Sequence, residues 1–303
     1  PAYLVEKEDH LGGRVAELNR TFPTLESVSD LLPPMIERVQ NHPNITVFLN
    51  NEVTAVDGYV GNFEVTVGKS ADPEAGQLEN ESVKVGSIIV ATGYDVFDPD
   101  RKPEFGYSDY PNVITSLEME ERLAEGDLTV NGRTPERVAF IQCVGSRDIQ
   151  LGNPHCSRVC CMYTAKQSRL VRDMLPDAEV TVFYIDVRTI GKGAEEFYDD
   201  ARSTGVRYRR GNVSEIYRKP GDPDRVVLVA EDTLLGHAID FEADLVVLAV
   251  GMEPRGNTSR VSQLLKLPRS ADGFFLEAHP KLRPVDTAMA GVFLAGCCQG
   301  PKD

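Results

Sequence analysis

The chain has 303 residues, 41% hydrophobic and 26% charged, which is the balance of a globular protein with enough apolar surface for two cores. A net charge of -15 excludes nucleic acid, whose phosphates need Lys and Arg partners, and disfavours anionic lipid. No apolar run approaches the roughly 20 residues of a membrane helix, so direct membrane insertion is not expected. Six cysteines without a signal peptide point to a reducing, cytoplasmic setting, where thiols serve metals or redox chemistry.

The opening Pro1 to Glu8 reads as a short buried strand ending in acids. In a dinucleotide-binding unit, an acid at the end of the second strand follows a GxGxxG turn by about 20 residues. With Glu6 as that acid, the glycine turn lies upstream, and the segment is expected to be a fragment. A helix is expected over 28–41, entered near Pro33 and Pro34, then a meander with strands at Ile45 to Leu49, Glu52 to Val56 and Phe63 to Val67. The polar stretch 68–82 reads as a loop. Gly86 to Gly93 is a fully apolar run closing on a small-residue turn, the form of a buried parallel strand beside a cofactor, and Asp244 to Gly251 repeats it. The repeat implies two tandem modules. The second has strands at 137–143, 180–185, 206–209, 212–218 and 225–230, and helices at about 158–175 and 193–204. Gly273 to Leu276 and Gly291 to Gly296 read as strands returning to the first domain.

The chemistry-bearing residues fall into two sets. Glu6 and Lys7, the turn Gly12, Gly13 and Arg14, the backbone around Val53, the turn Thr92 and Gly93, and Gly296 form the first. An acid accepts ribose hydroxyls, glycines let backbone approach a pyrophosphate or ring, and an arginine offsets phosphate charge. In this order they resemble the flavoproteins with two dinucleotide-binding domains, the thioredoxin-reductase-like class. The expected fold is therefore α/β with two Rossmann-like domains, an FAD-binding one over 1–116 and 241–303 and an NAD(P)-binding-like one over 117–240. In the second, Gln142 to Asp148 keeps a single glycine of the nicotinamide fingerprint, which argues against ordinary NAD(P)H binding.

The second set is Cys143, twelve residues, Cys156, three residues, then Cys160 and Cys161. Four thiolates suit an iron-sulfur cluster, provided the loop folds back to gather them and the adjacent pair sits in irregular backbone. A catalytic disulfide and buried free thiols are the alternatives, and His155 is a ligand, a tuning group or a solvated loop residue. Cys297 and Cys298 read either as small packing residues or as redox thiols. Arg188 and Lys192 are candidates for binding anions.

Long motifs extend the resemblance: Phe22 to Leu25, Val56 to Phe63, Ile141 to Asp148, Asn153 to Tyr163, Tyr184 to Gly193 and Gly291 to Asp303 look like the heterodisulfide reductase A subunit. That resemblance implies an oxidoreductase carrying FAD beside a 4Fe-4S cluster on the four cysteines, either of which can be absent from a truncated segment. It also implies other redox subunits as partners, with membrane attachment only through them; a homodimer is compatible with it. The methanogen protein carries a cysteine-rich ferredoxin insertion after the early meander and cysteines after its Phe-Pro-Thr-Leu; residues 68–86 and 26–34 have none here. The likeness is therefore closer to the shorter A subunit of the quinone-interacting membrane-bound oxidoreductase complex. An NAD(P)H-dependent flavoprotein disulfide reductase and a non-enzymatic scaffold of the same fold are the competing functions.

Overall fold

A computed structural model describes residues 1–69 and 80–302. It divides into two units: residues 1–16, 29–95 and 253–300, and residues 17–28, 96–252 and 301–303. Compared with the expected boundaries, 17–28, 96–116, 241–252 and 301–303 fall in the second unit. There Val113–Thr115 and Leu245–Val250 pair with each other, and Leu245–Val250 pairs with Arg137–Val144.

The second unit is built on a five-stranded parallel sheet in the order Arg207–Arg210, Glu179–Tyr184, Arg137–Val144, Leu245–Val250, Val113–Thr115. Near-continuous apolar sequence fits strands covered on both faces. Alternate residues serve two cores. Ala139, Ile141, Phe183, Val246 and Leu248 face one core with Leu228 and Ala230, which belong to an antiparallel sheet of Val213–Arg218, Val226–Asp232 and His237–Ala243. Val138, Phe140, Val180, Val182, Leu245 and Val247 face another, with Met119 and Leu123 of helix Ser116–Glu125 and Val171 of helix Cys160–Met174. The segment 17–28 lays Phe22 and Leu25 against Met162, Ala165 and helix Ala194–Ser203.

In the first unit, among the described residues, Ala2–Val5 pairs in parallel with Ile45–Phe48 alone, and Ile88–Val90 with Val292–Leu294 alone. An antiparallel meander of Asn51–Tyr59, Asn62–Lys69 and Glu81–Val85 supplies Phe63, Val65, Val67 and Val83 to the core. Helix Thr258–Leu265 adds Leu265.

Four expectations are corrected. Gly86 to Gly93 is not a fully buried strand: the strand is Ile88–Val90, whose Ile88 and Val90 turn to the core, while Ile89 on the opposite face is 67% exposed. Gly273 to Leu276 forms no strand; Phe274 and Phe275 are buried from a loop that makes one isolated bridge, Arg269 to Phe275. The helix at 28–41 starts at Val28, leaving Pro33 and Pro34 inside it. The loop at 68–82 is narrower, since strands reach Lys69 and begin at Glu81, and residues 70–79 lie outside the described residues.

Candidate functional site

The four cysteines lie in the second unit, where the chain leaves the carboxyl end of a central strand. Cys143 is near the end of Arg137–Val144 and adopts φ 63°, and Arg147 and Arg158 adopt 58° and 63°. Left-handed backbone in non-glycine residues is costly, and clusters of it mark functional sites. The loop folds back as required: Arg147 N–H donates to the His155 carbonyl at 2.8 Å, and Asp148 and Asn153 exchange backbone hydrogen bonds at 2.8 and 2.9 Å. Asn153 Nδ2 donates to the Gly145 carbonyl at 3.0 Å, and Ser157 Oγ bonds both Ser146 Oγ and the Met252 N–H. Tyr163 and His155 tie the loop to the Val250 and Met252 carbonyls, so His155 has a structural anchor.

This loop fills the space above Gly251. A Cβ there would meet Ser146 Cβ and Ser157 Oγ at 2.9 Å. Gly145, the surviving fingerprint glycine, lies against Phe97, whose ring a Cβ would strike at 2.0 Å. Its missing side chain serves internal packing.

The adjacent cysteines are not in irregular backbone. Cys160 and Cys161 are the first two residues of helix Cys160–Met174, where consecutive side chains diverge and backbone N–H groups are unspent. That divergence lets Cys160 reach back to the strand while Cys161 reaches the loop at 185–193. The Cys160 thiol is buried within hydrogen-bonding reach of both Cys143 and Cys161, and those two contacts, followed by burial, push it well above the ordinary thiol value. Cys143 is lowered by its contact with Cys160 and by Arg147; Cys161 is lowered to about 7 by its contact with Cys160 and the N–H of Arg188, with burial opposing. The helix N-terminus also favours thiolate here. Cys156 Sγ accepts the Arg158 N–H at 3.4 Å, and the Arg147 guanidinium interacts with Cys143 and Cys156 together. No disulfide joins any of the six cysteines, and among the described residues no three His, Cys, Asp or Glu side chains are grouped to hold a single metal ion. A 4Fe-4S cluster makes a different demand, because each thiolate takes its own iron and the sulfurs surround a volume. Cys160 beside both Cys143 and Cys161, with Cys156 facing the same arginine as Cys143, fits that donor set.

The flavin candidates all lie in the first unit. Glu6 follows the carboxyl end of Ala2–Val5, and its carboxylate accepts the Glu8 N–H at 3.1 Å; Lys7 pairs with Glu8. Thr92, Gly93 and Gly296 follow the carboxyl ends of two neighbouring parallel strands, the position where open α/β sheets bind ligands. Gly13, Gly93 and Gly296 have positive φ and open space where a Cβ would stand, and Thr92 Oγ1 is buried without a hydrogen-bond partner. An unspent hydroxyl beside uncovered glycines fits a large polar cofactor. Gly12 differs: a Cβ would meet Leu32 at 2.9 Å, so it packs the turn on helix Val28–Gln40. Arg14 is in the same short helical turn, and Val53 sits half-buried at a strand irregularity. Cys298 is buried, with its thiol donating to the Val90 carbonyl at 3.1 Å, a packing role. Arg188 reaches Asp186 at 3.5 Å.

Sequence reasoning missed Ser146, Ser157, Tyr163 and Asp186. All four fall inside motifs that carry the family resemblance, but nothing in the sequence marked the role of any one of them.

No protein-family model matches the chain. It is 40% identical, over 99% of its length and 57% of the relative's, to an iron-sulfur A subunit, the second of two forms, of the CoB--CoM heterodisulfide reductase of Methanopyrus kandleri. It is 39% identical over the same shares to the A subunit of the H(2):CoB-CoM heterodisulfide,ferredoxin reductase of Methanothermobacter thermautotrophicus. With the A subunit of the ferredoxin:CoB-CoM heterodisulfide reductase of Methanosarcina mazei the identity is 37%, over 100% of this chain and 48% of that one. The chain thus spans about half the length of these curated relatives. The first alignment covers 377 positions against 303 residues here, so that relative carries insertions this chain lacks. The fold is that of thioredoxin reductases: TM-score 0.60 and 17% identity with the T. acidophilum enzyme, over 98% of this chain and 82% of that one. The Lactococcus lactis enzyme gives 0.59 and 14%, over 99% and 83%.

Proposed function

The chain belongs with the A subunits of heterodisulfide reductases, homologous to them over nearly its whole length, and from that premise we propose that it is an electron-transfer flavoprotein component of a multi-subunit oxidoreductase. Cys143, Cys156, Cys160 and Cys161 hold a 4Fe-4S cluster. Glu6, Lys7, Gly12, Gly13, Arg14, the backbone at Val53, Thr92, Gly93 and Gly296 bind FAD. When bound, a flavin exchanges electrons singly or in pairs and a cluster moves them singly. The residues of this chain position those groups. Cys160, on the helix, and Cys143, on the strand, bring rigid elements to the site; the Ser146–Ser157 bond fixes the loop between them.

The observation that carries the reading is the convergence of Cys143 at the end of its strand, Cys160 and Cys161 at the start of their helix, and Cys156 on the loop that folds back between them, with the Arg147 guanidinium facing Cys143 and Cys156. Anaerobic iron, sulfide and flavin analysis of the full-length protein tests it. Iron and sulfide in equal amounts with bound flavin are expected, and a colourless protein would overturn it. The cysteine-free stretches at 26–34 and 68–86 support a place nearer the shorter A subunit of the quinone-interacting membrane-bound complex. Membrane attachment runs through partner subunits, which co-purification from membranes would reveal; among the described residues no helix is long and apolar enough to cross a bilayer.

A second reading rests on the Cys143–Cys160 contact, which also suits a dithiol that cycles with a disulfide. Such an enzyme would draw electrons from NAD(P)H, yet Gly145 and Gly251 are packed by Phe97, Ser146 and Ser157. Rapid flavin reduction by NADPH in an iron-free protein would favour this alternative.

A further inference from the structure

The cysteine loop carries charges that holding iron does not require. Arg147 is fixed from both ends: its N–H bonds the His155 carbonyl, and its Nη1 lies 2.6 Å from Asp186 Oδ1. Arg188 Nε approaches the same carboxylate oxygen at 3.5 Å. The Asp186 carbonyl lies 3.8 Å from Cys161 Sγ, so the carboxylate is anchored beside the sulfurs by its own backbone. Arg147 is 23% exposed and Asp186 45%. Thus one guanidinium faces the Cys143 and Cys156 sulfurs, and one carboxylate faces both that guanidinium and the sulfurs of Cys143 and Cys161.

We propose that Arg147 and Asp186 are an opposed pair of positioning residues that set the reduction potential of a cluster on these four cysteines. The inference rests on the cluster reading above. Reduction adds one electron to the cluster and breaks no bond in the protein, so its equilibrium follows the local charge and the hydrogen bonds to sulfur. A cation favours the reduced form and an anion disfavours it, with a strength that falls with distance and dielectric. Asp186 masks part of Arg147; removing either one leaves the other uncompensated. A residue that merely shaped the loop would give no reason for opposite effects.

The test is a dithionite titration of full-length protein at fixed pH, followed by electron paramagnetic resonance, with iron content measured in each variant. Arg147→Gln is expected to lower the one-electron equilibrium constant for reduction about tenfold, about 59 mV in the negative direction. Asp186→Asn is expected to move the potential the other way, and Arg147→Lys to return most of the Arg147→Gln shift. Iron-loaded variants with unchanged potentials, or with shifts of the same sign, overturn the proposal while the cluster reading stands. Loss of iron in Arg147→Gln and Asp186→Asn alike makes the pair structural and also overturns it. Wild-type protein without iron fails the cluster reading, and this inference with it.

Discussion

The runs Gly86 to Gly93 and Asp244 to Gly251 share one apolar strand-and-turn form but have opposite surroundings. In the second unit, Leu245–Val250 has a partner on each side and is buried at every residue; in the first, Ile88–Val90 has one partner and Ile89 faces outward. The closing glycines diverge too. A Cβ on Gly93 would meet nothing within 4 Å, whereas Gly251 is closed over by Ser146 and Ser157. One module leaves the end of its strand uncovered. The other fills that end with its own cysteine loop.

The largest effects expected from this contrast concern buried charge. Lys166 and Glu120 of the second unit are each 1% exposed and 2.7 Å apart, with Lys166 Nζ also donating to the Arg20 carbonyl and Glu120 accepting from Gln167 and Asn19. Burial pushes the Lys166 ammonium down despite Glu120 beside it. Lys166→Met strands the carboxylate and should cost about 3–5 kcal/mol in urea unfolding. In the first unit, Arg260 to Glu52 is half-exposed on the arginine side, and Arg260→Met should cost about 0–1 kcal/mol. Equal costs would remove the contrast. The strands come next: Leu248→Ala should destabilise by about 2–5 kcal/mol and Ile89→Ala by no more than about 0.5 kcal/mol. Among the glycines, Gly145→Ala forces a methyl into the Phe97 ring and should cost about 1–3 kcal/mol from overpacking, beyond the left-handed penalty of about 1–2 kcal/mol that it shares with Gly93→Ala.

The smallest effect is on pH dependence. Asp148 closes the cysteine loop by accepting from Lys102 Nζ at 2.9 Å and from the Gln150 and Leu151 N–H groups, which hold its carboxyl below the usual value of 3.8. A depressed carboxyl contributes stability that is fully present above that ordinary value and is lost as the pH falls through its lower folded value. Amide exchange at Gln150 and Leu151 should therefore quicken only below about pH 4. Lys102→Met should raise the pH at which it begins; an unchanged onset would deny Lys102 that role.

The cysteine cluster was visible as a candidate because thiol spacing is a one-dimensional signal, and the apolar runs at 137–143, 180–185 and 244–251 marked the central strands of the second unit. The surroundings of Ile89 were not legible, since the exposure of an apolar side chain depends on what covers its face of the sheet. Helix Ser116–Glu125 was overlooked although its start is written locally: Thr115 and Glu118 form a capping box. The helix expected over about 158–175 already contained Cys160 and Cys161; the added demand for irregular backbone there was wrong, because a helix N-terminus separates neighbouring sulfurs by itself. Asp186, 39 positions from Arg147, had no sequence link to it.

The central claim is that the loop between strand Arg137–Val144 and helix Cys160–Met174 holds iron. Quantitative iron per chain in anaerobically purified full-length protein, wild type against Cys160→Ala, tests it most directly. The account predicts that the variant loses one cluster's complement, about four irons, while its flavin content is retained. Equal iron in the two proteins would contradict it.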